Sequence, residues 1–253
     1  MNRQLYIPAT MLAAFVGDSP YMTQEEAINE VLLRYYYKAE VIEEEIVIDD
    51  PELIQKATEI INSETITKEQ HQFLESIDPQ IKSEIVKARG LVKESTAFDK
   101  LADYFKSSEK YRNLVVSPNR EKHYYYVSDD CIIGGVVDGI CYKTDGEFKG
   151  IIEIKNRVHG PFNKTKMYQR RTDLYQLLAY YKAFTPYLDY VLSVYESPLI
   201  GLVQVHNGKV YFMEFSREEL DKLWTEVEEK LKRAMKIAAN MVLDRAILEA
   251  MLS

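Results

Sequence analysis

The sequence predicts an α/β protein with a small mixed β-sheet flanked by helices and a helical N-terminal region. Three observations predict it. The hydrophobic period is helical up to about Phe105, it changes to alternation between Asn113 and Asn156, and helical and alternating stretches interleave from there to the end.

Each element has its own mark. A short N-terminal segment precedes a helix from about Thr23, where Thr23 and Glu26 form a capping-box pattern. From roughly Glu40 to Gln80 acidic clusters alternate with helical stretches, punctuated by Asp49-Asp50-Pro51 and Asp78-Pro79. This reads as an inserted or peripheral helical piece. A longer helix follows over about Ile81 to Phe105, weakened by Gly90. The segments "NLVVSP", "HYYYVS", "CIIGGVVDGICYK" and "GIIEIKN" read as consecutive strands, the last two joined by a turn at Thr144-Asp145-Gly146. Next come a helix through "TDLYQLLAYYKAF", a strand "YVLSVYE", and the hairpin "GLVQVHNGKVYFMEFS", whose Asn207-Gly208 suits a type I′ turn. Ser216 and Glu219 open a long closing helix with Leu220, Leu223, Trp224, Val227 and Leu231 on one face. There is no internal repeat, and residues 1–253 are expected to form a single domain with residues 38–88 as an acidic subregion.

Composition narrows the classes. The chain has 253 residues, 46% of them hydrophobic, enough for one large core. Its apolar runs, such as "MLAAFV", fall far short of the roughly 18 residues of a membrane span. A soluble, intracellular protein is expected: cytoplasmic, or within a host cell, the nucleus included. Cys131 and Cys141 lack metal-finger spacing and are expected as reduced thiols in a strand pair. The net charge of −8 is unevenly spread. Residues 38–88 hold thirteen acids against five lysines, whereas residues 155–182 hold seven Lys and Arg against Asp173 alone. The basic run is either a solvated face or a wall for phosphates.

The chemistry centres on Ile132 to Arg157. Side chains two apart on a strand share a face, so Glu153 and Lys155 point one way and Ile152 and Ile154 the other. Asp138 lies in the preceding strand, and a hairpin would bring it across from Glu153. Two carboxylates so placed repel unless a cation lies between them, and oxygen ligands suit Mg²⁺ or Mn²⁺. Glu94 aligns with Ala97, Phe98, Leu101 and Phe105 on the apolar face of its helix. It either bends to solvent or finds a partner in that cluster. Tyr124 to Tyr126 are stacking residues or cross-strand packing.

These residues carry a family resemblance. Asp138 with Glu153-Ile154-Lys155 resembles the core of the PD-(D/E)XK nucleases. "RGLVKESTAFDKLADYF" is similar to the G-x-x-x-E-x-x-A helix of the phage lambda exonuclease and YqaJ-like viral recombinase group. Gln176 and Tyr180 match the Q-x-x-x-Y helix of RecB-like members, and "ATMLAAFVGDSPYMTQEEA" resembles that group's N-terminal segment. Together these span Arg3 to about Phe184, leaving residues 38–88 unexplained. Val137 stands where the motif has Pro, and Val136 where lambda-type enzymes carry a phosphate-binding Ser. The missing cysteines exclude the iron–sulfur subgroup.

The resemblance implies a restriction-endonuclease-like core and a metal-dependent DNA nuclease, most of all a 5′–3′ exonuclease on linear duplex acting in recombination or viral DNA processing. An endonuclease, or a non-catalytic DNA- or protein-binding member of the fold, is the alternative. It implies that Asp138, Glu153, the Ile154 carbonyl and Glu94 hold Mg²⁺ or Mn²⁺, that Lys155 positions water or stabilises charge, and that Gln176 orients Lys155. Arg3, Thr10, Arg157, Lys164, Lys166, Arg170, Arg171 and Tyr180 are the implied DNA contacts. A homo-oligomer and a single-strand annealing partner are further implications; a membrane partner is not.

Overall fold

The computed structural model describes residues 4–39, 50–158, 160–194 and 197–252. Arg3 and Glu43 to Glu45 therefore lie outside the described residues, as does the side chain of Arg170. Strand β1 (Leu5–Pro8), a 3₁₀ turn (Ala9–Met11) and α1 (Leu12–Phe15) lead to α2 (Gln24–Val31), which continues as a π-helical turn over Leu32–Tyr36. Thr23 and Glu26 form the expected capping box on α2. Helices α3 (Pro51–Asn62) and α4 (Lys68–Ser76) precede the long α5 (Pro79–Ser107), with Asp50 and Asp78 capping α3 and α5.

Strands β2 (Leu114–Pro118), β3 (His123–Ser128), β4 (Cys131–Gly135), β5 (Gly139–Lys143) and β6 (Phe148–Asn156) follow. The expected single strand over 131–143 is two strands in two sheets, parted at Val136 to Asp138. One sheet has the order β1-β4-β3, with β1 parallel to β4. Cys131 and Cys141 accordingly lie in different sheets, both buried and free. After β6 come α6 (Lys164–Arg170), α7 (Thr172–Ala183) and α8 (Thr185–Ser193), then β7 (Leu199–His206), β8 (Lys209–Glu214) and α9 (Arg217–Leu252). The second sheet has the order β2-β5-β6-β7-β8 and is mixed, since β6 and β7 run parallel across the helical crossover. The strand expected over Tyr190–Glu196 is largely α8, because Thr185-Pro186 start a helix that runs through Ser193. Tyr195 and Glu196 lie outside the described residues.

Strand β6 is the centre of the molecule. Its Ile152 and Ile154 pack with Ala97, Leu101 and Phe105 of α5, while Ile151 joins the core around α7. Helix α7 is buried nearly all round, from Leu174 to Ala183. The described part of the acidic stretch packs on α5 through Ala57, Ile60 and Ile85, on the side of β6 away from α7. Among the described residues no helix is long and apolar enough to cross a membrane.

Candidate active site

The separation of faces predicted for β6 sets the geometry. Glu153 is completely buried on the α7 side, and its Oε1 accepts a 2.6 Å hydrogen bond from Lys155 Nζ. The same ammonium donates to Gln176 Oε1 at 2.8 Å, and Gln176 Nε2 donates to Tyr180 Oη at 3.2 Å. Gln176 and Tyr180 are one helical turn apart on α7, so a single helix face aims Lys155.

Asp138 arrives from the link between the two sheets. Its Oδ2 accepts from the Ile154 backbone N–H at 2.7 Å, and its backbone carbonyl accepts from Asn119 N–H at 2.9 Å. Burial lifts the Asp138 carboxyl above its usual range, against the pull of Lys155 and the Ile154 N–H. Burial pushes Glu153 up to about 7, with the Asp138 charge adding to the rise and Lys155 opposing it. Glu153 Oε2 is buried without a hydrogen-bond partner. A carboxylate oxygen left bare beside a second acid is a donor that a cation or a proton would satisfy.

The third expected acid is not assembled with them. Glu94 is exposed, and among the described residues no group of three or more His, Cys, Asp or Glu stands together as a metal cluster. Its helix does reach the site's edge. The Gly90 carbonyl accepts from Asn156 Nδ2 at 3.3 Å, and Phe98 packs where a Cβ on Gly139 would sit. Glu94 lies midway between these, on the same i, i+4 row, yet α5 covers the face of β6 opposite Glu153.

The implied DNA contacts fare unevenly. Tyr180 is 2% exposed and belongs to the core, so it supports Gln176 rather than offering a surface. Arg157 pairs with Asp173, donates to Gln204 Oε1 and covers the Phe162 ring. Lys164 pairs with Glu219, and Arg171 bonds Tyr175 Oη and lies beside Asp18 and Glu226. The basic run is therefore mostly neutralised from within: Lys155 and Arg157 pair with acids close in sequence, Glu153 and Asp173, and Lys164, Arg171 and Lys182 with distant ones. Lys166 is exposed and has no ion pair among the described residues, and Thr10 is exposed on the 3₁₀ turn beside the site, where Ala9 approaches Gly135 and Tyr180.

One organising residue escaped the sequence reading. Gln204 on β7 lies beside Lys155 in register and is fully buried. It accepts from Arg157 Nε and Phe162 N–H and donates to the Phe162 carbonyl, anchoring the loop that leaves β6. A lone glutamine inside an otherwise apolar strand was the mark that pointed to it.

No family model and no curated protein matches the sequence. Solved structures do match. That of LHK-Exo in complex with dAMP shares 12% identity at a TM-score of 0.52, over 98% of this chain and 94% of that one. A presumed exonuclease from Eubacterium rectale shares 9% identity at a TM-score of 0.47, over 93% of this chain and 82% of that one. The first likeness shows the fold alone: this chain is folded like LHK-Exo.

Proposed function

We propose that this chain is a metal-dependent nuclease that hydrolyses DNA phosphodiester bonds, working from the ends of linear duplex in the 5′–3′ direction. One observation carries the reading: a fully buried Glu153 with a bare oxygen, next to Asp138 and bonded to a lysine that α7 holds in place. These hard oxygen donors fit Mg²⁺ or Mn²⁺, with Asp138, Glu153 and the Ile154 carbonyl as ligands and Glu94 as a further acid at the rim. Bound there, the ion would polarise the phosphate and lower the pKa of an attacking water. Lys155 supplies a point charge with three donors, two of which are already directed at Glu153 and Gln176, so its ammonium is fixed before substrate arrives. Gln176, neutral and tied to Tyr180, sets that orientation. The dAMP bound by LHK-Exo, which shares the fold, supports DNA as the substrate and a mononucleotide as the product. The endonuclease reading differs only in needing no end.

The experiment compares end-labelled linear duplex with covalently closed circles in Mg²⁺. Linear duplex is expected to be shortened to mononucleotides from its 5′ ends while circles survive. Asp138→Asn, Glu153→Gln and Lys155→Ala should each abolish hydrolysis. Rapid nicking of circles moves the assignment to an endonuclease. Full activity in Lys155→Ala would refute the site.

A further inference from the structure

Strand β3 carries a feature that hydrolysis leaves unused. Its central residues alternate: Tyr125 packs inward against Trp224, whereas Tyr124 and Tyr126 face outward, 42% and 65% exposed. Register puts Tyr124 opposite Gly134, and Tyr126 and Tyr6 on either side of Ile132, so these side chains share the outer face of the β1-β4-β3 sheet. Tyr124 lies directly on Gly134: a Cβ there would come within 2.6 Å of its ring. Tyr6 braces Tyr124 edge-on at 6.2 Å and is itself met edge-on by Tyr35 at 5.2 Å.

This face is continuous with the catalytic acids. Asn119, whose N–H holds the Asp138 carbonyl, begins the loop that leads into β3. That loop presents Arg120 and Lys122, both exposed and without an ion pair among the described residues, against one acid, Glu121. The path from Asp138 thus runs past two exposed cations onto two exposed tyrosines two residues apart on one strand, a backbone rise of about 6.6 Å.

We propose that this face is a stacking platform for unpaired bases of a DNA single strand, with Arg120 and Lys122 holding its phosphates, adjoining the hydrolytic site. The proposal rests on the nuclease reading for the identity of the strand; the binding test stands without it. Aromatic rings stack on any base and so suit a protein that must pass every sequence, while exposed lysine and arginine follow the backbone.

The test is fluorescence anisotropy of the full chain, without divalent metal, with a labelled single-stranded oligonucleotide and an abasic oligonucleotide of equal length. Tyr126→Ala and Tyr124→Ala should each weaken binding of the base-bearing strand by about 5- to 150-fold, while Tyr→Phe at either place retains it. Neither change should alter binding of the abasic strand. Arg120→Ala with Lys122→Ala should weaken both strands and make the salt slope shallower by about 0.7 per lost contact. Tyr126 stands clear of the core, so its variants test the idea even if Tyr124→Ala fails to fold. Undiminished binding by Tyr126→Ala would overturn the proposal and leave the tyrosine face to a protein partner. Equal losses on the abasic strand, or no binding by the unaltered protein, would also overturn it. Failure of the nuclease reading shows up separately, as absent hydrolysis in Mg²⁺ whatever the binding result.

Discussion

Replacing Lys155 by Met removes the cation and keeps most of the side chain's volume. What remains is a completely buried Glu153 beside Asp138, with neither Glu153 oxygen bonded to Lys155. Breaking a fully buried ion pair costs about 3–5 kcal/mol. The Lys155 side chain is 23% exposed, and Glu153 can take up a proton, so the loss near neutral pH should be about 2–3 kcal/mol. For a chain of this size that corresponds to a Tm lower by roughly 4–12 °C. The pH dependence sharpens the test. Burial lifts Glu153 from 4.5 to about 7 even with Lys155 present. The folded state then binds more protons than the unfolded state between those values, so stability falls as pH rises through that window. Without the opposing ammonium the folded pKa moves higher still, and the loss extends above it. The gap in Tm between Lys155→Met and the unaltered protein, measured by circular dichroism in EDTA, should therefore be small at pH 5 and widest at pH 8. Mg²⁺ should narrow it at pH 8 by binding the folded state alone. Adding Glu153→Gln to Lys155→Met should recover part of the Tm, since the unpaired Glu153 charge is gone and the remaining acid, Asp138, keeps its hydrogen bond from the Ile154 N–H. A gap that is flat with pH, or a double variant no more stable than the single one, would refute the reasoning.

Two further outcomes follow from the packing. A Cβ on Gly150 would overlap the Leu199 carbonyl where β6 pairs with β7, so Gly150→Ala should force the central strands apart and lower Tm by several degrees or prevent soluble expression. Arg171→Ala should act on stability and not on DNA: burial favours a raised Asp18 carboxyl, but hydrogen bonds from Lys230 and Tyr175 and the charges of Lys230 and Arg171 hold it below the usual range. That stabilisation is present above the unfolded pKa and lost as pH falls through the folded one, so the variant should lose about 1 kcal/mol at pH 7 and almost nothing in strong acid, with the salt slope of DNA binding unchanged.

What could be read from sequence was whatever rests on neighbours along the chain. Glu153 and Lys155 share a face because the strand period is two, and Asn207-Gly208 makes the β7–β8 turn because both residues take positive φ, 47° and 75°. The caps at Thr23 and Ser216 were legible for the same reason. Distant partners were not. The parallel pairing of Leu5 with Cys131 leaves no mark in either segment. The charge run from Lys155 to Lys182 looked like a phosphate wall because its partners, Asp18, Glu219 and Asp221, lie outside the window. Glu94 shares a helical row with Gly90 and Phe98 but is exposed, since a row read from periodicity does not say which side of the next strand the helix covers.

The break at Val136 to Asp138 explains why so apolar a run carries an acid. Gly139 pairs with Ile152, so one step further along the ladder Asp138 would stand opposite Glu153 as an ordinary strand residue. The chain enters β5 from the other sheet there, and the Ile154 N–H donates to the Asp138 side chain. One carboxylate oxygen therefore ends the sheet, satisfying a buried donor that would otherwise cost about 1–3 kcal/mol, while the other remains for the site. An alanine at this position removes both functions together and cannot separate folding from catalysis. Asparagine can: its amide oxygen still accepts from Ile154, and its NH₂ replaces the oxygen that a cation would need. This is why Asp138→Asn, folded and inactive, is the informative form of the substitution in the hydrolysis experiment.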